Sequence, residues 1–125
     1  RKGGFEELLS SGYSFVSYPL RVVIRLYPRE EKDFPARIAV SVSKRRFKRA
    51  VKRNRVKRLI RETYRLNKNI LYSYIPEDKT MDILFIYLHD EIFEYGKIEK
   101  AITGAIKKIR SYIEKDSGGD IADTY

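Results

Sequence analysis

The 125-residue sequence contains no cysteine, no tryptophan and a single histidine, His89. Without thiols it can form neither a disulfide nor a thiolate metal site nor a cysteine nucleophile, and one imidazole cannot assemble a zinc centre. No apolar run approaches the ~20 residues that span a bilayer, and no secretory signal precedes the first amphipathic segment. The chain therefore reads as soluble and cytoplasmic, without a membrane partner. Its carboxylates are scattered singly, so catalysis by the protein lacks a constellation, and no catalytic or metal-ligating residue is nominated.

Positive charge is abundant and unevenly placed. The 27 Lys and Arg against 17 Asp and Glu leave a formal charge of +10, which directs attention to a polyanionic partner, nucleic acid first. Positions 44 to 68 hold 13 of the basic residues and one acidic residue, Glu62, a net +12 that leaves the other 100 positions at −2. One segment thus carries the charge of an otherwise near-neutral fold. The length suits a single core, so one domain, nucleic-acid-binding by its charge, is expected over 1–116. Beyond it, SGGDIADTY (117–125) loses all periodicity and reads as a flexible tail.

Phe5, Leu8 and Leu9 beside Glu6 and Glu7 suggest a short first helix, closed by Gly12 in a left-handed cap. From Tyr13 to Tyr27, β-branched and aromatic residues dominate and Val22, Ile24 and Leu26 alternate with Arg21, Val23 and Arg25, although Pro19 should break or edge this strand. Pro28 to Pro35 is loop chemistry. A strand follows at Ala36–Ser43, with Ile38, Val40 and Val42 on one side and the small, polar Ala39, Ser41 and Ser43 on the other. Met81–Leu88 is apolar enough for a central strand covered on both faces. In the last helix Ile98, Ala101, Ile102, Ala105, Ile106, Ile109, Tyr112 and Ile113 recur at three and four. The order predicts an α+β fold, a two-layer α/β sandwich with a mixed four-stranded sheet and about three helices, the crossover helix joining two parallel strands.

That crossover helix is the basic segment. Wound at 100° per residue, Val56, Leu59, Ile60, Thr63, Tyr64, Asn67 and Ile70 gather on one side and Asn54, Lys57, Arg58, Arg61, Arg65 and Lys68 on the other. Like charges along one stripe cost a few tenths of a kcal/mol per i, i+4 pair, roughly, and a bound polyanion reverses that sign. A solubilising face normally alternates sign. This one offers only Glu62 and is rich in Arg, whose planar fork suits phosphate. Phe47 and Val51 fall off the apolar side, so the helix should start near Ala50. Lys44, Arg45, Arg46, Lys48 and Arg49 then form a preceding turn and a second cationic surface.

The runs RIAVSVSK (Arg37–Lys44) and AVKRNRVKRLIRE (Ala50–Glu62) closely resemble the signature of the bacterial ribonuclease P protein family, whose hallmark is Arg-Asn-Arg followed by an Ile/Val-Lys-Arg triplet. FEELLSSG (Phe5–Gly12) resembles the family's first helix and its closing glycine. The resemblance implies a ribosomal protein S5 domain 2-like sandwich with a left-handed β-α-β crossover. It also implies a protein that binds the ribonuclease P RNA subunit and precursor tRNA to promote 5′-end maturation, with hydrolysis performed by the RNA. Magnesium would then belong to the RNA-containing holoenzyme, with no cofactor on the protein itself and no obligate protein partner. Arg53, Asn54, Arg55, Lys57, Arg58, Arg61 and Arg65, with the basic turn, would contact the RNA subunit, chiefly through phosphates. The first helix and open sheet face would hold the single-stranded 5′ leader, nominating Phe5, Leu9, Tyr13, Phe15, Ser41 and Ser43. Competing readings are a ribosomal or other structured-RNA binding protein, a stand-alone nuclease using magnesium on Asp82 and Asp90, and a DNA-binding helix, the last disfavoured by the missing heptads and helix-turn-helix pattern.

Overall fold

The computed structural model describes the backbone of residues 4–122 and the side chains of residues 8–115. In chain order the elements are α1 (Gly4–Ser11), β1 (Tyr13–Ser17), β2 (Leu20–Pro28), β3 (Ala36–Ser41), α2 (Ala50–Tyr72), β4 (Lys79–Tyr87) and α3 (Tyr95–Ala122). The strands form one sheet in the order β1-β2-β4-β3. The long strand expected from Tyr13 to Tyr27 is a hairpin: Ser17 pairs with Leu20, and the chain reverses at Tyr18–Pro19, whose peptide is cis. Pro19 has no N–H to continue a ladder, which is why the break falls there. β2 and β4 are antiparallel, while β3 and β4, joined through α2, are parallel. β3 stops at Ser41, two residues short of expectation, because the Ser43 carbonyl instead accepts the N–H groups of Arg46 and Phe47 and starts a turn.

Strand alternation sorts the side chains into two layers. Val22 and Ile24 of β2, Ile83 and Phe85 of β4, and Ile38 and Val40 of β3 point to one face, where α2 and α3 cover them. α3 lays Ile98, Ala101, Ile102, Ala105, Ile106, Ile109 and Ile113 into this core, while Tyr112 stays at its rim. α2 contributes Val56, Ile60, Thr63, Tyr64 and Leu71. The stripe predicted for α2 is corrected at its end: Ile70 is 52% exposed and Leu71 is buried in its place, with Leu59 and Asn67 only half-buried. α3 continues helically to Ala122, into the stretch 117–125 expected to be a tail; residues 123–125 lie outside the described residues.

The opposite sheet face is only partly covered, by α1, whose Leu8 packs on Val23 and Leu84 with Ala39 and Ile86 beside them. The two-layer sandwich therefore carries a partial third layer. Gly12 ends α1 without the expected left-handed conformation. Its N–H donates to the Leu8 carbonyl, and a Cβ there would lie 2.5 Å from that carbonyl oxygen and 2.8 Å from Val23 Cγ1. Close approach of the helix end to β2, not backbone handedness, is what demands glycine.

On this same face Asp82 is fully buried, one of three buried polar side chains among the described residues, and pairs bidentately with Arg37 on β3, both N–O distances being 3.0 Å. The hydrogen bond with Asp82 raises the Arg37 pKa further. Arg25 on β2 sits on the other side of the same rung. Gly12→Ala should lower the unfolding free energy by about 1–3 kcal/mol through overpacking, whereas Gly96→Ala, with nothing within 4 Å of its new Cβ, should be neutral or slightly stabilising. Arg37→Ala, which strips the bidentate partner from a buried carboxylate, should cost about 2–3 kcal/mol. Urea unfolding of the three variants checks both statements.

Candidate nucleic-acid interface

α2 is docked by its apolar stripe, so its remaining arc faces outward. Asn54, Arg55, Arg58, Arg61 and Arg65 are exposed there, and Lys57 and Lys68 lie at the arc's edge, half-buried. An open groove of about 440 Å³ along it is lined by Asn54, Lys57, Arg58, Arg61, Glu62 and Arg65. Arg65 is internally compensated, its Nη2 lying 2.5 Å from Glu62 Oε1, and this contact holds the Glu62 carboxyl below its usual range. The Lys68 ammonium stands 6.0 Å from the Tyr72 ring. Arg55, Lys57, Arg58 and Arg61 have no ionic partner among the described residues. At the helix start, Arg49 is an extended N-cap residue without a side-chain cap bond, and no acid occupies the first turn. The partial positive charge of the first-turn N–H groups is therefore uncompensated, adding to the cations beside it.

The turn before α2 is tied down at several points. Ser43 Oγ accepts the Arg45 N–H at 3.0 Å, the buried Phe47 ring packs against Tyr87 with centroids 6.0 Å apart, and Arg46 Nη1 bonds Asp90 at 2.9 Å. Arg53 Nη1 donates to the carbonyls of Phe47 and Lys48, at 2.8 and 3.0 Å. Arg53 is half-buried and points into the turn, not along the outward arc. Lys44, Arg45, Lys48 and Arg49 remain exposed.

The residues nominated for a single leader cleft are divided by the sheet. Leu9, 48% exposed, and Ser41 lie on the α1 side. Tyr13 and Phe15 lie on the other. They pair with Ile24 and Val22, and directly opposed residues share a face, so they point toward α3. Tyr13 stacks on Tyr112 at 4.6 Å, and the Lys108 ammonium stands 5.7 Å from the Phe15 ring. Ser43 belongs to the turn, and the Phe5 side chain lies outside the described residues. Sequence reading missed a different set: Arg21, Arg25 and Arg37 share the α1 face with Ser41 and Ile86. Register places Arg25, Asp82 and Arg37 on one rung and Arg21, Ile86 and Ser41 on another. Alternation marked Arg21 and Arg25 as one face of β2, but the strand order was needed to bring Arg37 beside them.

The two carboxylates considered for a nuclease do not meet. Asp82 is sealed against Arg37, and Asp90 is bound by Arg46 beyond the other end of β4, the strand from Asp82 to Tyr87 spanning about 17 Å. Among the described residues no group of three or more His, Asp or Glu side chains is placed to hold a metal ion. No helix among them is long and apolar enough to cross a membrane.

Comparison with known proteins gives a consistent result. The Ribonuclease P family profile matches residues 1–110. A ribonuclease P protein component from Porphyromonas gingivalis is 43% identical over 103 residues, which cover 82% of this chain and 74% of that protein. An RNase P protein from Thermotoga maritima superposes with a TM-score of 0.64 at 23% identity, covering 84% of this chain and 90% of that one. One from Staphylococcus aureus does so with a TM-score of 0.64 at 24% identity, over 87% and 91%. The last two likenesses speak to the fold and the first two to descent, and together they establish that the chain belongs to the ribonuclease P protein family.

Proposed function

We propose that this chain is the protein subunit of ribonuclease P, anchored on the catalytic RNA subunit by the outward arc of α2 and the basic turn, and that it promotes removal of the 5′ leader from precursor tRNA. The observation that carries this reading is the arc itself: Arg55, Lys57, Arg58 and Arg61 are unpaired among the described residues, Arg55, Arg58 and Arg61 exposed on the solvent side of the helix and Lys57 half-buried at the arc's edge. Four cations on a rigid rod, beside an uncapped helix N-terminus, suit the phosphates of a structured RNA more than the edges of its bases. Such contacts position a partner without reading sequence. Hydrolysis belongs to the RNA in this reading, with magnesium held in the RNA-containing complex. The protein's own residues bind and orient phosphates.

The leader fits the α1 face. Its floor is low and partly apolar, made by Ala39, Ser41 and Ile86 beside the exposed Leu9. Arg21 stands on the same rung as Ser41, and the Arg25–Asp82–Arg37 rung lies four residues along the strands, about 13 Å away. An extended single strand crossing this floor would find cationic groups at both ends.

Single-turnover cleavage of a precursor tRNA by a bacterial ribonuclease P RNA at low magnesium, with and without the protein, tests the assignment. The protein should restore cleavage, and an Arg55→Ala/Arg58→Ala/Arg61→Ala variant should lose most of that gain. Unchanged cleavage would instead favour a general structured-RNA binding role, and cleavage by the protein alone would revive the nuclease reading. For the leader, Arg21→Ala in the assembled holoenzyme should weaken binding of precursor tRNA roughly threefold, the scale of one exposed charge contact, and leave leaderless tRNA unaffected. Equal losses for both RNAs would remove the α1 face from leader binding.

A further inference from the structure

We infer that Arg53, the first arginine of the Arg-Asn-Arg run, is a positioning residue that holds the basic turn in shape and does not itself touch RNA. The inference rests on the RNA-anchoring reading above and assigns Arg53 and Arg55 opposite tasks within it. At 100° per residue the two side chains leave α2 about 160° apart, Arg53 on the side of the docked stripe and Arg55 on the solvent side. Arg53 precedes the buried Val56 by three residues and Ile60 by seven, and so extends the docked stripe. Arg55 is exposed on the outward arc, whereas Arg53 is half-buried.

What Arg53 does there follows from its hydrogen bonds. An Nη nitrogen carries two protons, and Arg53 Nη1 directs them at the carbonyls of Phe47 and Lys48, 2.8 and 3.0 Å away. These two peptides set the path from the buried Phe47 ring to the exposed Lys48 and Arg49 and into the first turn of α2. That path has no side-chain cap at Arg49 to fix it. Phe47 is held in turn by Tyr87, whose hydroxyl donates to the Glu91 carbonyl and accepts the Phe93 N–H. Arg53 thus clamps the open end of a segment whose other end is already packed. Losing the clamp would free Lys48 and Arg49 to wander, and RNA binding would then have to restore their order at an entropic cost.

Double-mutant cycles on affinity for the RNA subunit, paired with amide hydrogen exchange of the free protein, test this. Arg53→Ala should weaken RNA binding about fivefold, near 1 kcal/mol, in an otherwise native protein. In a Lys48→Ala/Arg49→Ala background the same change should have less than about a twofold effect, while with Arg55→Ala the losses should multiply. Exchange should quicken at 46–53 in Arg53→Ala and not in Arg55→Ala, with the sheet amides unchanged, and Arg53→Lys, which can still reach one carbonyl, should recover part of both losses. Multiplicative losses with Lys48→Ala/Arg49→Ala, or wild-type exchange across the turn, would overturn the inference in favour of a direct RNA contact. If neither Arg55→Ala/Arg58→Ala nor Lys48→Ala/Arg49→Ala weakens RNA binding, the anchoring reading fails and takes the RNA half of this inference with it. The exchange data alone then decide whether Arg53 holds the turn.

Discussion

The RNA-anchoring surface of this protein depends on the docking of α2 against the sheet. Val56, Ile60, Tyr64 and Leu71 are buried, and the Tyr64 ring meets Phe85 at 6.1 Å. Burial also raises the Tyr64 pKa, so the phenol stays neutral in the core. Once that stripe is fixed, 3.6-residue periodicity leaves no freedom over where the other side chains go. Repulsion among Arg58, Arg61 and Arg65 opposes helix formation by a few tenths of a kcal/mol per pair, and burial of the apolar stripe outweighs it, at roughly 1.5–3 kcal/mol for each fully buried large side chain. The cations are therefore presented before any partner arrives.

A second constraint acts through the sheet. β4 lies between β2 and β3 with its residues buried on both faces, so any polar group it carries needs a partner at once. Asp82 finds one in Arg37, with Arg25 across the same rung. Two arginines and one carboxylate leave that rung net positive, and Arg21 repeats the sign four residues along the strand. The near-neutral remainder of the chain thus yields a second cationic surface, through topology and not through composition.

How much of this was legible in the sequence depended on whether one element or several were needed to see it. α3 and the start of α2 at Ala50 follow from helical period alone, and both agree with the structure. Leu71, not Ile70, is buried at the end of α2: it lies seven residues after Tyr64 and eleven after Ile60, squarely in the docked stripe, whereas Ile70 falls at the stripe's margin. Pro19 announced a break, but that the two halves fold back on each other is a statement about pairing. The same pairing sent Tyr13 and Phe15 to the α3 side, away from Ser41. Gly12 was legible as a helix terminator, though its cause is the Leu8 carbonyl and the Val23 side chain pressing on it. Arg53 shares the motif with Arg55, but its bonds to the Phe47 and Lys48 carbonyls are tertiary contacts that the run Arg-Asn-Arg does not reveal.

The central claim is that one docked helix and its turn present cations to RNA phosphates. Its most direct test is the salt dependence of affinity for a ribonuclease P RNA, measured for the native protein and for Arg55→Ala/Arg58→Ala/Arg61→Ala. With about six phosphates neutralised, log affinity should fall against log salt with a slope of roughly −4 to −5, and the triple variant should flatten it by about 2 to 3. A slope near zero, or a variant that keeps the native slope, would contradict the claim.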